Sequence, residues 1–525
     1  MKPLPLRTIV LLSALALFRG ALPAASAAGA ASPFTSEFSG SLVHWMPWGG
    51  EALARAKQEK KPVYLFLGFF LSELSRNTEN QSFTNAETAA YLNAHFVCIL
   101  ADREEHPDLA AAAQQYLDQV KQTSGWPVSL FLTPDMKPYD GANYLSPAQE
   151  WGQQSLLQVA TRAAEAWTVD ARGCNRTATA AVAALHRPVP AARDVDGAKL
   201  AAALAGGTKD WMTAYDGPHG GFGEAPRYLQ PEVLAYLLTQ GPAARAMALS
   251  AIHAMATGTV HDSVKGGFFR YLSDTAGDTP YLQKTLVDQA RMVLAYADAQ
   301  QAGADPAFPG AIRGTLGYVL SNLQNPDGSF AASEDLTGDK PRRDDRAAAD
   351  ANGLLLAALS RAGQVLGDAK YLEGARNLGK TLQIRFLSQS GDVSHYADGA
   401  GTASPADYAA LAFGYRALAL ATDESGAGAL ADRLLARCDE LFLDARQGVY
   451  LASPPAVPAG VFSRAPAFLL SDNVPAPESI ALLAGPSRET AGALERGLVQ
   501  RMTVSGSTTG DELLALGPLC TPAAH

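Results

Sequence analysis

Two serines stand three residues apart where a predicted strand gives way to a predicted helix. The apolar run at 62–67 ends just before the segment Ser72-Glu73-Leu74-Ser75. Two cysteines with this spacing could exchange disulfides, because one thiolate attacks and the second sulfur resolves the mixed disulfide. Serine hydroxyls do neither, so the segment predicts no redox chemistry.

The same serines are weak candidates for a catalytic nucleophile. A serine needs an adjacent general base, and no motif places His95 or His106 beside them. A serine at the start of a helix more often accepts a backbone N–H and caps the helix. We therefore interpret Ser72 or Ser75 as a helix cap.

The cysteines and histidines predict neither a disulfide framework nor a metal site. Cys98, Cys174, Cys438 and Cys520 are far apart and form no Cys-x-x-Cys pair. None of the nine histidines belongs to His-Glu-x-x-His or another ligand spacing. The sequence therefore predicts no metal and no cofactor.

Composition points to an ordinary globular protein and away from nucleic acids. The 525 residues are 47% hydrophobic and 18% charged, which suits two or more domains. The net charge of −10 leaves no basic stripe for a phosphate backbone. We expect no nucleic-acid partner.

The N-terminus has the pattern of a secretory leader. Lys2 and Arg7 precede an apolar run at 8–18, and Ala25-Ser26-Ala27 fits a cleavage site. The run is too short to span a bilayer; the alternative is a buried N-terminal helix. We predict a signal peptide over residues 1–27, a secreted or periplasmic location, and no membrane insertion after cleavage.

Strands and helices alternate between residues 35 and 170. Strands are predicted at 62–67, 96–101 and 128–132, and helices at 51–59, 79–93 and 107–122. This alternation predicts an α/β domain. Pro127 directly precedes the third strand, a place where proline is tolerated.

The second half of the chain is almost wholly helical. It follows an Ala-, Arg- and Pro-rich stretch at 171–194 that reads as a helix end and linker. Glycine-containing turns recur about every 50 to 60 residues, at Gly220, Gly266, Gly328, Gly391 and Gly448. Because each interval holds two helices, residues 195–525 have room for about six hairpins and predict a closed toroid.

An ordered series of short motifs resembles the thioredoxin-like family of the spermatogenesis-associated protein and bacterial YyaL. The motifs include Trp45-x-x-Trp48-Gly49, Lys61-Pro62, Ser82-Phe83, Asp102-Arg103-Glu104-Glu105, Gly125-Trp126-Pro127, Gly220-Gly221-Phe222-Gly223, Gly266-Gly267-Phe268-x-Arg270-Tyr271 and Arg343-Asp344-Asp345. They extend over nearly the whole mature chain. The resemblance implies an α/β thioredoxin-like domain, 35–170, followed by an all-α (α/α)6 toroid, 195–525.

The resemblance also shows what this chain has lost. The family carries Cys-His-Trp-Cys-His at the strand–helix junction, and Ser72 and Ser75 occupy the two cysteine positions. Pro127 matches the cis-proline that faces the dithiol in such folds. A histidine and a glutamate of a second family motif are replaced by Tyr281 and Gln283. The family's dithiol and part of its toroid chemistry are therefore absent.

Loops at one end of sugar-converting toroids form a funnel that holds acid–base groups and aromatic rings. Candidates for proton transfer are His261, Asp262 and Asp288. Candidates for ligand binding are Arg227, Arg270, Tyr271, Lys284, Asp344, Asp345, Asn352, Asp407 and Asp472. Each could instead be a satisfied loop or helix-cap residue.

Three functions follow from these patterns. The first is a redox-inactive binding protein for a carbohydrate-like ligand or a protein partner. The alternative is an enzyme that isomerises sugars or processes glycans in the toroid pocket. The third, a thiol–disulfide oxidoreductase, conflicts with the missing sulfurs.

Overall fold

The structure is a computed structural model that describes residues 32–149, 152, 154–185, 191, 196–217, 220–274, 276–454, 465–467, 475–505 and 509–517. The predicted signal peptide and Asp472 lie outside the described residues. Within the described ranges, the chain has no helix that combines the length and the apolar character needed to cross a membrane.

The first domain is built on one five-stranded sheet. Its strands are β1 (Trp45–Pro47), β2 (Val63–Gly68), β3 (Val97–Asp102), β4 (Val128–Leu132) and β5 (Pro138–Ala142). The strands lie in the order β1-β3-β2-β4-β5. β1 and β2 run parallel to β3, whereas β4 is antiparallel to β2 and β5 is antiparallel to β4. The three predicted strands are confirmed to within one residue, and the short edge strands β1 and β5 were not predicted.

Helices cover both faces of this sheet. They are α1 (Pro33–Glu37), α2 (Gly50–Glu59), α3 (Glu73–Thr78), α4 (Ala86–His95), α5 (Pro107–Tyr116) and α6 (Leu156–Leu185), with π-helical turns at Glu79–Phe83 and Leu117–Lys121. Alternate side chains of β2 point to opposite faces. Tyr64 and Phe66 join the core under α1 and α4, and Val63 and Leu65 join the core under α2 and α5.

Helix α6 continues beyond the predicted end of the first domain. It bends at Asp170, whose backbone is not helical, and then runs on to Leu185. Cys174 and Ala178 pack into one core of the sheet domain and Ala181 packs into the other. Because this apolar face is buried, residues 171–185 are part of the first domain, and the linker begins after them.

Twelve helices form the second domain, in the part of the chain described from residue 196 onwards. They are α7 (Gly197–Ala214), α8 (Pro231–Leu238), α9 (Pro242–Thr257), α10 (Leu286–Ala302), α11 (Ala307–Tyr318), α12 (Ala349–Leu366), α13 (Ala369–Phe386), α14 (Pro405–Thr422), α15 (Ser425–Phe442), α16 (Pro477–Ala484), α17 (Arg488–Ser505) and α18 (Gly510–Leu516), and a π-helical turn at Val319–Leu323 extends α11. The even-numbered helices from α8 to α18 pack in sequence, and α18 packs back against α8. The ring is closed, so the predicted (α/α)6 toroid is confirmed.

The long loops of the toroid lie at one end of the ring, which we call the mouth. They join the outer helices α7, α9, α11, α13 and α15 to the next inner helix, whereas two to four residues join an inner helix to the next outer one. The mouth loops carry the short strands β6 (Tyr215–Asp216), β7 (Gly221–Phe222), β8 (Arg227–Tyr228), β9 (Tyr271–Leu272), β10 (Gln283–Thr285), β11 (Ser333–Asp335), β12 (Arg342–Asp344), β13 (Leu443–Asp444) and β14 (Val449–Tyr450).

The repeated glycines form the turns in these loops. All five adopt a positive φ, between 66° at Gly448 and 86° at Gly328 and Gly391, a conformation that favours glycine. At Gly266 a Cβ atom would lie 2.3 Å from the carbonyl oxygen of Gly314 on α11. At Gly266 the turn therefore lies directly on the backbone of a helix.

Candidate functional site

Every inner helix carries an acidic residue in its first turn. These residues are Glu232, Asp288, Asp350, Asp407, Glu478 and Asp511. Since all six helices begin at the mouth, their carboxylates surround it. The partial positive charge of each helix N-terminus favours an ionised carboxylate there.

Four of the six carboxylates have structural partners outside the centre of the mouth. Arg291 donates to Glu232 at 2.7 Å and lies 3.3 Å from Asp288. Glu478 and Asp511 accept backbone N–H groups at 2.8 and 2.9 Å. These four groups hold neighbouring helices and loops together, which leaves Asp350 and Asp407.

Asp350 forms no ion pair with any described residue, and its position differs from that of Glu478 and Asp511, which bond to the backbone of other loops. Its carboxylate accepts a hydrogen bond from the adjacent N–H of Ala351 at 2.6 Å. Burial and the nearby carboxylate of Asp407 raise the pKa of Asp350 to about 6, although His395 acts in the opposite direction. A half-buried carboxyl group with this pKa can exist in both protonation states near neutrality.

His395 and Asp407 form a buried pair beside Asp350. Nδ1 of His395 lies 2.9 Å from Oδ1 of Asp407, and Asp407 also accepts the backbone N–H of Ser404 at 2.8 Å. Burial lowers the pKa of His395, but Asp407, Asp350 and Glu104 outweigh it and raise the pKa to about 9. The imidazole is therefore protonated at neutral pH.

The sheet domain places Glu104 in this group. The loop after β3 is fastened to the toroid by Arg346, which lies 3.1 Å from Asp102 and 3.2 Å from Glu105. The N–H of Thr402 also donates to the carbonyl of Glu105 at 3.1 Å. Glu104 lies between these contacts and its side chain keeps 45% of its exposure.

Glu104 and Asp350 have opposite pKa shifts. Burial acts to raise the pKa of Glu104, but the guanidinium groups of Arg103 and Arg346, together with His395, outweigh it and lower the pKa. Two carboxyl groups whose environments separate their pKa values can act as an acid and a base. We call Glu104, Asp350, His395 and Asp407 the mouth cluster.

The two serines at the strand–helix junction are covered rather than exposed. Ser72 caps α3 by accepting the N–H of Ser75 at 3.1 Å, so the predicted helix cap is confirmed. Ser72 is 7% exposed and Ser75 is fully buried. Pro127 follows a cis peptide bond, as the resemblance implied. This face therefore offers no accessible hydroxyl pair.

Toroid loops provide the cover. Tyr281 donates its hydroxyl hydrogen to Glu73 at 2.7 Å. Gln283 donates from Nε2 to the carbonyl of Leu71 at 3.0 Å. The segment that would carry a dithiol is thus a joint between the two domains.

Two of the predicted proton-transfer residues, both half-buried, belong to a separate cluster around the buried Lys284. Nζ of Lys284 donates to Asp262 at 2.7 Å and lies 4.1 Å from the centre of the Tyr318 ring. Asp262 also accepts two backbone N–H groups of its own turn. His261 packs on Phe268, and burial lowers its pKa. With Asp288 bound near Arg291, the three predicted acid–base residues do not form one site.

The other predicted ligand-binding residues are mostly engaged in structure. Asp344 lies 2.7 Å from Arg346, Asp345 is exposed beside Arg343, and the buried amide of Asn352 bonds to backbone groups of the preceding loop. Only Asp407 of these residues lies in the mouth cluster.

The remaining candidates line the side of the mouth nearest α3. Arg270 donates to the side-chain oxygen of Gln283 at 3.3 Å. Tyr271 stacks on Tyr281, with the ring centres 4.7 Å apart. Arg227 lies in the adjoining strand β8.

Sequence reasoning missed Glu104, Asp350 and His395. Asp350 lies in the first turn of α12, as Asp407 does in α14, so a search for acidic residues at the starts of the inner helices would have included it. Glu104 was noted only as part of a motif, because a domain joint leaves no periodic signal in a sequence. Among the described residues, no three His, Cys, Asp or Glu side chains are grouped so that they could hold a metal ion.

Comparison with known proteins agrees with the resemblance inferred from the motifs. Residues 26–186 match the family described as "Thioredox_DsbH: Protein of unknown function, DUF255". The chain is 31% identical to mouse (Mus musculus) Spermatogenesis-associated protein 20 over 322 residues, which are 58% of this chain and 40% of that protein. It is 28% identical to Uncharacterized protein B0495.5 of Caenorhabditis elegans over 315 residues, 58% of this chain and 43% of that protein.

These matches confirm the resemblance to the spermatogenesis-associated family. The chain spans about two fifths of the length of the curated relatives it matches. The matched stretch is also shorter than the near-complete coverage predicted from the motifs.

Solved structures similar to this chain include two sugar-converting enzymes. One is a D-mannose isomerase, with 16% identity and a TM-score of 0.44 over 61% of this chain and 86% of that chain. Another is cellobiose 2-epimerase from Bacillus thermoamylovorans B4167, with 11% identity and a TM-score of 0.46 over 58% of this chain and 87% of that chain. The closed ring described above follows from the contacts within this chain.

Proposed function

We propose that this chain is an exported, redox-inactive protein that binds a carbohydrate-like ligand at the toroid mouth. The observation that carries the proposal is the meeting of Glu104, from the sheet domain, with Asp350 and His395, from the toroid. Because the sheet domain contributes Glu104 to this site, it can take part in ligand binding without the dithiol.

The thioredoxin-like character of the sheet domain is part of this proposal. It is supported by the mixed sheet, by α3 as the next element after β2, and by Pro127 immediately before β4. In this proposal the domain is a scaffold: α3 docks on the toroid, and the loop after β3 inserts Glu104 into the mouth.

The chemistry of the mouth suits a neutral ligand rich in hydroxyl groups. Ionised Glu104 can accept hydrogen bonds from hydroxyl groups, and protonated His395 can donate to them. Half-buried tyrosines, among them Tyr271 and Tyr281, offer ring faces for the apolar side of a sugar. The ring of carboxylates disfavours an anionic ligand.

Acid–base catalysis on the bound ligand is the second candidate function. It is favoured by Asp350, whose pKa of about 6 suits proton transfer near neutrality. Glu104, with its lowered pKa, remains ionised and could serve as the partner base. Enzymatic turnover of a sugar would distinguish this candidate from binding alone.

A thermal-shift screen of the mature protein against mono- and oligosaccharides tests the proposal. We expect at least one sugar to raise the melting temperature of the wild type and to have a weaker effect on Asp350→Asn. Asp345→Asn, an exposed position nearby, is the matched control and should behave as the wild type. If no sugar stabilises the protein, the ligand account fails in favour of a protein partner.

Export is tested separately from binding. The leader pattern at residues 1–27 predicts that the chain leaves the cytoplasm and loses this segment. Cell fractionation followed by N-terminal sequencing should find a protein that begins close to residue 28. An intact N-terminus in the cytoplasmic fraction would contradict export without bearing on the ligand.

A further inference from the structure

Two aromatic rings of the sheet domain enclose the guanidinium group of Arg103, beside the mouth cluster. Phe69 directly follows β2, and Trp126 lies just before β4. Their rings meet edge to face, with centres 6.3 Å apart. The central guanidinium carbon lies 3.6 Å from the centre of the Phe69 ring and 4.7 Å from that of the Trp126 ring, both within reach of a cation–π contact. We call these two rings the aromatic corner.

Hydrogen bonds to the backbone hold the parts of this corner in place. The N–H of Arg103 donates to the carbonyl of Gly68, the residue before the first ring, at 2.9 Å. The side-chain amide of Gln114, on α5, donates to the carbonyl of Gly125 at 3.0 Å and anchors the segment that carries the second ring. From the toroid, the guanidinium carbon of Arg270 lies 5.8 Å from the centre of the first ring. The corner therefore lies at the boundary between the two domains.

The corner directs Arg103 towards Glu104. Nε of Arg103 donates to Oε1 of Glu104 at 2.8 Å. Because a guanidinium group is planar and stacks on aromatic faces, the rings fix the direction of its N–H groups as well as its place. The side chain of Arg103 is 19% exposed, whereas that of Glu104 is 45% exposed. The arginine is thus largely covered, and the carboxylate that it holds remains accessible.

A second arginine–glutamate pair of the same domain shows the contrast. On α2, Nε of Arg55 donates to Glu59 at 2.7 Å, but the two side chains are 52% and 33% exposed. No aromatic ring of the described chain stacks on Arg55. Exposed pairs of this kind contribute little, because two long side chains must be held in one geometry. At Arg103 the aromatic corner already supplies that order.

We propose that Arg103 is a positioning residue, which the aromatic corner holds so that its Nε fixes the carboxylate of Glu104 in the mouth. The inference rests on the proposed function, because Glu104 is the residue that the sheet domain contributes to the ligand site. It also gives a role to the face around the strand–helix junction. Phe69 and Trp126 orient a carboxylate there, in a domain that has no dithiol to support.

Other charged groups also face Glu104, and a test of Arg103 must leave them unchanged. Burial acts to raise the pKa of Glu104, and Arg103 is the largest of the cationic influences that lower it. Removing this cation therefore raises the pKa of Glu104. The remaining titratable and charged groups around Glu104 are Asp102 on the same loop and Arg346, Asp350, His395 and Tyr396 on the toroid.

Carboxyl labelling of the mature full-length protein, without ligand, tests the positioning. A carbodiimide with glycine ethyl ester labels the protonated form of an accessible carboxyl group, and fragment-ion mass spectrometry locates the label. The pH of half-maximal labelling of Glu104 should rise by about one unit or more in Arg103→Met, the effect of losing a neighbouring cation. A change of exposure alone alters the extent of labelling but not this midpoint. Arg55→Met is the control and should leave the Glu104 midpoint as in the wild type.

Two variants of the first ring cover the case in which Arg103→Met does not fold. Phe69→Leu keeps an apolar side chain but removes the ring, so it should raise the Glu104 midpoint in the same direction, whereas Phe69→Tyr keeps the ring and should retain the wild-type midpoint. The proposal is overturned if Arg103→Met leaves the midpoint at the wild-type pH, or if Phe69→Leu and Phe69→Tyr give the same midpoint. A protein that shows these shifts but is stabilised by no sugar would contradict the ligand account alone.

Discussion

Nη2 of Arg346, in the loop before α12, lies 3.1 Å from the buried carboxylate of Asp102, at the end of β3. This contact joins the toroid to the sheet domain directly beside Glu104. Arg346 also lies 2.7 Å from Asp344 and 3.2 Å from Glu105. One arginine therefore holds the loop that completes the mouth cluster.

We predict that Arg346→Met destabilises the protein strongly. It leaves the buried carboxylates of Asp102 and Asp344 without their counter-charge, and breaking a buried pair in this way costs about 3–5 kcal/mol. Urea unfolding followed by tryptophan fluorescence measures the loss. Arg361→Met, which removes a more exposed pair with Asp298, should cost about 1 kcal/mol or less. Equal losses of unfolding free energy in the two variants would contradict the proposed role of Arg346 in joining the two domains.

Restoring the two sulfurs should not restore redox chemistry. In a Ser72→Cys, Ser75→Cys variant both thiols would lie at positions that are 7% and 0% exposed, under the toroid loops. Thiolate attack needs an accessible sulfur, so we expect no acceleration of insulin reduction and slow reaction with a thiol reagent. Ser39→Cys, at an exposed position, is the control and should react rapidly. Fast reaction of the double variant would show that the joint opens in solution.

The His395–Asp407 pair should make stability depend on pH. The pKa of His395 is about 9 in the folded protein and about 6.5 in an unfolded chain. The pair therefore stabilises the fold fully below pH 6.5, and its contribution of about 3 kcal/mol is lost as the pH rises through 9. Asp350, with a raised pKa of about 6, titrates below this window.

Denaturation curves from pH 6 to pH 10 measure this dependence. Wild type should lose stability across the upper part of the range, whereas His395→Gln should be flatter. His253→Gln, at an exposed position on α9, should retain the wild-type slope. If His395→Gln keeps the wild-type change of stability with pH, groups other than His395 cause that change.

The architecture could be predicted from local patterns because those patterns repeat. Apolar runs in the sequence predicted strands β2, β3 and β4. Glycine turns such as those at Gly266 and Gly448 predicted the helical hairpins. Composition alone did not indicate how far the first domain extends. The Ala-, Arg- and Pro-rich stretch after residue 170 reads as a helix end and linker, and in the structure Cys174 and Ala178 bury one face of a helix there.

The mouth cluster could be predicted only in part. Asp407 stood out because a family motif contains it, but nothing in the glycine turn at Gly391 singled out its partner His395. Glu104 and Asp350 are 246 positions apart in the sequence, and only the docking of the two domains brings them together. Asp262 and Lys284 showed the opposite error, because polar residues predicted to act in a site proved to be a structural ion pair.

The most direct test of the account is a titration of the mature protein with the best sugar from the thermal-shift screen. It compares the wild type with Glu104→Gln and Asp350→Asn, one variant from each domain, and with Asp345→Asn as the control. We predict that both site variants weaken binding about tenfold or more, as expected for hydrogen bonds to charged groups, while the control binds as the wild type. Unchanged binding by Glu104→Gln would contradict the claim that the two domains form one site.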